Sequence, residues 1–284
     1  MKKFIICTEN TCDLDSAYLY ERNVGVVKLH YFLNGEEVSD DVIPLFYKKL
    51  KDGCKGTTSQ PSPAEFEDLW TPYLKENFDI LHLSFSSVLS GTYSNACATA
   101  NRLKDTFPDN RIIVIDTKSQ SGGQGLLVDL VCDYKEKGHS IDECYEYAIN
   151  TAPKINHIFT LDNLRSLASS GRVSNAEAFI GNLLQIKPLL YTDPEGNLKP
   201  FSRVISKKLA LNGLVEKTKS RYTGEVPLIY ISHADCLGDA ESIGAKLSSL
   251  GATIKYLPLS PVIGSHTGIN TISVFFVGAD RNIR

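Results

Sequence analysis

The chain has 284 residues, 42% of them hydrophobic and 22% charged, with a formal net charge of −3. That length suits a sizeable core and two domains, and that charge gives a nucleic-acid partner no electrostatic support. No apolar run approaches the ~18 residues that a membrane-spanning helix needs. Seven cysteines (Cys7, Cys12, Cys54, Cys97, Cys132, Cys144, Cys236) include no Cys-x-x-Cys pair. Reduced small hydrophobes in a cytoplasmic protein are therefore expected, not a disulfide framework or a zinc ribbon.

The N-terminal Phe4-Ile5-Ile6-Cys7 reads as a first strand, not as part of a signal peptide. Asp13 or Asp15 can cap a short helix through Tyr20. Residues 24–33 read as one longer strand turned by Asn34-Gly35, and 43–50 as a helix. Ser62-Pro63-Ala64-Glu65 has the form of a capping box with proline at the first helical position, which predicts a helix to about Lys75. A strand over 80–83 leads into a helix over 93–103. The continuous apolar run at 111–116 suits a buried parallel strand. A helix over 125–137 ends at Gly138. This alternation predicts a doubly wound α/β domain over residues 1–152.

The second half reads differently. A strand over 156–161 precedes a helix from Leu164 that Ser169-Ser170-Gly171 breaks, and a second helix is expected over 175–184. Residues 187–192 and 198–204 form a hairpin around Asp193-Pro194-Glu195-Gly196-Asn197. Helices over 206–221 and 238–250 alternate with strands over 227–233, 253–259 and 271–277. The expectation is an α+β domain over 153–284 whose sheet is mixed or antiparallel.

Two hydroxyl-rich turns stand out, Thr57-Thr58-Ser59-Gln60-Pro61-Ser62 and Ser84-Phe85-Ser86-Ser87-Val88-Leu89-Ser90-Gly91-Thr92-Tyr93. The second joins a strand to a helix, so hydroxyls and free N–H groups gather at a helix N-terminus, where an anion is welcome. Neither turn holds a lysine, which favours a carboxylate or a single phosphate over a nucleotide triphosphate. A plain structural cap is the alternative. A serine hydrolase finds no support, because Gly-x-Ser-x-Gly is missing. Ser119-Gln120-Ser121-Gly122-Gly123-Gln124-Gly125 lacks both dinucleotide and phosphate-loop spacing, so a tight turn with close helix packing is expected. Arg172, in a break between helices, and Arg203, in the hairpin, are candidate partners for a planar anion, or else surface charges. His266 lies in a loop-like Gly264-Ser265-His266-Thr267-Gly268 and can donate to an anion. No second metal ligand is evident beside it, so no metal site is expected.

Together these segments resemble the DegV family of bacterial fatty-acid-binding proteins, the acyl-carrying subunits of fatty acid kinase. The residues that carry the resemblance are Thr58-Ser59-Gln60-Pro61-Ser62, Ser86-Ser87-Val88-Leu89-Ser90-Gly91-Thr92-Tyr93, Asp116 with its Ser/Gly-rich turn, Gly171-Arg172, and Gly264-Ser265-His266-Thr267-Gly268. It implies an α/β fold of two domains, a Rossmann-like N-terminal domain with a parallel sheet and an α+β C-terminal domain. One long-chain fatty acid would lie in a tunnel between them. Thr58, Ser90 and His266 would bind its carboxylate beside the helix N-terminus at Gly91 and Thr92. Arg172 and Arg203 would organise the head group or present it to a kinase.

The implied role is carriage without catalysis. A separate ATP-dependent kinase would convert the acid to an acyl phosphate for phospholipid synthesis, and this chain would need no cofactor and no stable membrane insertion. A stand-alone phosphotransferase or hydrolase is the alternative. The expected tunnel wall draws on Leu161, Leu164, Leu167 and Phe179, then Ile180, Leu183, Ile186 and Phe275, for all of which plain core packing is the alternative. Two departures from the family pattern bear on this reading. Gly268 is followed by Ile269-Asn270 instead of Pro-Gly, and the segment before Gly171 lacks the lysine and second glycine that the family often carries. The first touches the shape of the His266 loop and the second the docking of the kinase.

Overall fold

The apolar N-terminal run forms β1 (Phe4–Glu9), buried at every position. Asp15 caps α1 (Ser16–Glu21), its carboxylate accepting from the N–H groups of Ala17 and Tyr18. The computed structural model describes residues 2–38, 43–162, 164–173 and 186–283. The helix expected over 175–184, with Phe179, Ile180 and Leu183, lies outside the described residues.

The single strand expected over 24–33 is two, β2 (Val24–Val27) and β3 (His30–Leu33), in different sheets. Asn10 causes the break. Its side chain accepts from the Leu29 N–H at 2.9 Å and donates to the Leu29 carbonyl at 3.0 Å, taking both groups that a continuous ladder would use. After β4 (Glu36–Glu37) and α2 (Ile43–Lys51) comes β5 (Gly56–Ser59). Part of the first hydroxyl-rich turn is thus a strand, antiparallel to β3 with Thr58 opposite Tyr31. The expected capping box opens α3 (Pro63–Lys75), where the Ser62 N–H donates to the Glu65 carboxylate at 2.8 Å. Then follow β6 (Asp79–Ser84), α4 (Thr92–Thr106), β7 (Ile112–Asp116), α5 (Ser121–Glu136) and α6 (Ile141–Thr151). Strands β2, β1, β6 and β7 form a four-stranded parallel sheet in that order, the doubly wound pattern expected of the first half.

The second half supplies β8 (Ile155–Thr160), α7 (Arg165–Ser169), β9 (Lys187–Thr192) and β10 (Leu198–Val204). Strands β9 and β10 are the expected hairpin. Then come α8 (Lys207–Arg221), β11 (Leu228–His233), α9 (Leu237–Leu247), β12 (Thr253–Pro258), α10 (Pro261–Thr267) and β13 (Ile272–Val277). The six-stranded sheet runs β10-β9-β8-β13-β11-β12, with β11 and β12 parallel and the other pairs antiparallel. It is the mixed sheet that the α+β expectation required.

The faces of this sheet differ. Ile158, Val274, Phe276, Ile229 and Ile231 pack with Leu214 and Ile243 of α8 and α9 into one dry core. The register sets His157 and Tyr230 beside Phe275, and Phe159 and Ser232 beside Ser273, so these residues share the other face. Helix α5 lies against that face. It starts at Ser121, four residues before the expected start, because Gly122 and Gly123 are helical and pack flush on the sheet. A Cβ on Gly122 would come within 2.7 Å of Ser232 Oγ, and one on Gly123 would collide with the His157 ring. The close packing expected of this glycine run is present, but the tight turn expected at Gly122 and Gly123 is the first turn of a helix instead.

Candidate ligand-binding site

Thr58 projects from β5 toward α10. Two residues earlier on the strand, Gly56 lets the helix approach, since a Cβ there would lie 2.8 Å from Ser265. The result is a 2.8 Å hydrogen bond between Thr58 Oγ1 and His266 Nε2, joining residues 208 positions apart. His266 is on a helix, not in the expected loop. The signal was readable, for Ser260-Pro261 is an N-cap followed by proline at the first helical position, and the Ser260 hydroxyl accepts from the Val262 N–H.

The second hydroxyl-rich turn is anchored from below. The Glu9 carboxylate is fully buried and accepts from Phe85 N at 2.9 Å, Ser84 Oγ at 2.8 Å, Gln124 Nε2 at 2.6 Å and His82 Nε2 at 2.9 Å. Four donors satisfy a charge that would be costly if left unpaired in the interior. Above it the N–H groups of Leu89 and Ser90 both reach the Ser86 carbonyl. Ser90 Oγ sits 2.8 Å from Thr92 Oγ1 at the start of α4, whose N-cap is Gly91. The two turns abut, and a Cβ on Gly91 would collide with the Gln60 side chain. Helix α4 ties them further, because Asn95 Nδ2 donates to the Pro61 carbonyl at 2.9 Å.

Thr58, Ser90, Gly91, Arg172, His266, Leu167 and Phe275 all line one cavity of about 340 Å³, at the low end of the range of about 300–1,000 Å³ usual for small-molecule sites. Thr92 is buried just behind Ser90. Leu161 and Leu164 are buried in the same apolar cluster as Phe85, Leu89, Phe159 and Leu167, behind the wall instead of on it. Ile186 precedes β9 and Arg203 is exposed on β10; neither lines the cavity.

The wall draws on both halves of the chain, with Leu29, Phe85 and Leu89 facing Phe159, Leu198 and Val262. Phe85 and Leu89 carried no distinguishing signal, since Val88 in the same turn is as apolar and yet 46% exposed. Gln60 and Gln120, also on the wall, were equally unmarked.

Thr58, Arg172, His266 and Thr267 also line a second depression of about 840 Å³, together with Lys55, Asp162, Ser170 and Ser265. These four residues stand at the common boundary of the cavity and a somewhat more polar space that Leu50, Cys54 and Ile269 also line. Burial, helped by the Arg172 charge, pushes the His266 imidazole down to about 4. At neutral pH it is therefore uncharged, with one N–H to give. Arg172 supplies the permanent positive charge on the cavity wall, and its Nη1 donates to the Ser170 carbonyl. One carboxylate at this boundary would find two hydroxyls, an imidazole N–H and a guanidinium within the same wall. Among the described residues no group of His, Cys, Asp and Glu could hold a metal ion, and no helix is long and apolar enough to cross a membrane.

The model of the DegV family, described as one of uncharacterised proteins, matches residues 3–279. A DegV domain-containing protein of Clostridium perfringens is 36% identical over 288 residues, covering 98% of each chain. A fatty acid binding DegV family protein from Streptococcus agalactiae has a solved structure with a TM-score of 0.84 at 27% identity, covering 99% of this chain and 100% of that one. A DegV family protein from Thermus thermophilus, whose structure is described by its fatty acid binding, gives a TM-score of 0.86 at 26% identity, covering 98% and 100%.

Proposed function

Because the chain belongs to the DegV family, we propose that it carries one long-chain fatty acid, tail inward, between domains 1–152 and 153–284. Each buried methylene contributes about 0.8 kcal/mol, so the apolar wall of Phe85, Leu89, Phe159, Leu198 and Phe275 provides most of the affinity. A carboxylate buried without partners would cancel much of that gain. Thr58, Ser90 and His266 would bind it, with the N-terminus of α4 at Gly91 and Thr92 adding partial positive charge. Arg172 would balance its charge.

The observation that carries this reading is the shared boundary at Thr58, Arg172 and His266, where the more apolar cavity meets the more polar depression. A ligand with a greasy body and one acidic end matches that division. The polar side would let a separate ATP-dependent kinase reach the carboxylate and make an acyl phosphate while the hydrocarbon stays covered. The exposed Arg203 would serve that docking. On this reading the chain is a cytoplasmic carrier without catalysis of its own.

Mass spectrometry of an organic extract of the purified protein tests the proposal. A long-chain acid near one per chain is expected, and stripped protein should take up added palmitate. Finding neither would overturn it.

A further inference from the structure

Arg281 is 1% exposed although it lies near the C-terminus. Its Nε donates to the Ile155 carbonyl at 2.8 Å, and its Nη2 donates to the Ala152 carbonyl and to Ser119 Oγ, both at 2.6 Å. Nη1 donates to the Lys118 carbonyl. Its guanidinium donates to carbonyls and a hydroxyl, not to a carboxylate, and burial, only partly opposed by the more distant charges of Asp193 and Asp116, pushes it down to about 9. The tail that carries it is itself tied in, by Gly278 N to the Lys154 carbonyl at 3.0 Å and by Asn156 Nδ2 to the Ala279 carbonyl at 2.7 Å. A fully buried cation is costly, and this one holds the 117–119 turn to the residues that join the two halves of the fold.

That turn leads to the cavity wall. Gln120 and Ser121 line the cavity directly. The Ser119 carbonyl accepts from Ser86 N at 3.0 Å, and the Ser86 carbonyl accepts from Ser90 N at 3.3 Å. Three successive hydrogen bonds thus lead from the guanidinium to the backbone of Ser90. Lys118 Nζ adds a parallel tie to Ser87 Oγ at 2.9 Å.

We propose that Arg281 is a positioning residue for the acid site: docked in the 117–119 turn, it holds the Ser86–Ser90 turn so that the Ser90 hydroxyl faces the ligand's carboxylate. The proposal rests on the fatty-acid reading above. Lysine at this position keeps the charge but cannot reach four acceptors from one fork.

A double-mutant cycle on palmitate affinity tests it, with folding of each variant checked by thermal melting. In the wild-type background Arg281→Lys should weaken binding about three- to tenfold, and in the Ser90→Ala background less than about twofold, because residues in one hydrogen-bond network couple. A general loosening of the fold would weaken both backgrounds equally. Ser119→Ala, which removes one acceptor and no charge, takes the place of Arg281→Lys in the cycle if the lysine variant does not fold. Equal losses in the two backgrounds, or no loss in the wild-type background, overturn the coupling while leaving the carrier reading intact. A wild-type protein that does not bind palmitate overturns both.

Discussion

Replacing His266 with glutamine isolates one titration on the cavity wall. The imidazole lies at about 4 in the folded protein against an ordinary 6.5, because of burial first and the Arg172 charge second. A base whose folded value is depressed stabilises the fold above the ordinary value, and that contribution is lost as pH falls toward the folded one. Between pH 7.5 and pH 5 the unfolded chain takes up a proton here that the folded chain refuses. The gap at pH 5 is about 1.5 units, or about 2 kcal/mol at about 1.36 kcal/mol per unit. Partial solvent exposure trims this to about 1–2 kcal/mol. Glutamine keeps a polar end for Thr58 and does not titrate. Urea unfolding at the two pH values should show the wild-type protein losing about 1–2 kcal/mol more than His266→Gln on acidification. Added palmitate should narrow that difference, since an anion beside the ring favours its protonated form. Parallel pH profiles for the two proteins would refute the reasoning.

Two further substitutions address the grip and the packing. Thr58→Val and Ser90→Ala should each weaken palmitate binding by about 1–3 kcal/mol, the usual cost of stranding a charged acceptor, and isothermal calorimetry reads this directly; unchanged affinity in both would place the head group elsewhere. Gly123→Ala drives a methyl into the His157 ring and should cost about 1–3 kcal/mol of stability or more. His157→Ala should recover part of that loss in a double variant, and failure to recover any would show that the strain lies in the backbone instead.

Local chemistry made much of the fold legible. The aspartate cap of α1, the Ser62–Glu65 capping box and the β9–β10 hairpin depend on residues a few positions apart, and each is present, with Asp15 and not Asp13 as the cap. What could not be read depends on distant partners. Residues 24–33 are apolar enough for one strand, and the side chain of Asn10 divides them. Gly122 and Gly123 look like a turn until the sheet face under them, with His157 and Ser232, is known. At the site, the hydroxyls of Thr58 and Ser90 and the ring of His266 were marked by their setting, whereas the apolar wall was not. Leu161 and Leu164 are as apolar as Leu167, and only the three-dimensional arrangement places Leu167 on the wall and the other two behind it.

The flush contact between α5 and the six-stranded sheet has a mechanical consequence. With no side chains on Gly122 and Gly123 to act as rollers, helix and sheet cannot slide there without backbone meeting ring. The margin where β5 meets α10 is close packed as well: Gly56 lies flush on Ser265, Tyr47 Oη donates to the Leu259 carbonyl at 2.7 Å, and Thr58 bonds to His266. Flush glycine contacts at both margins therefore resist shear, so that any opening of the molecule would part the two halves instead of sliding one past the other.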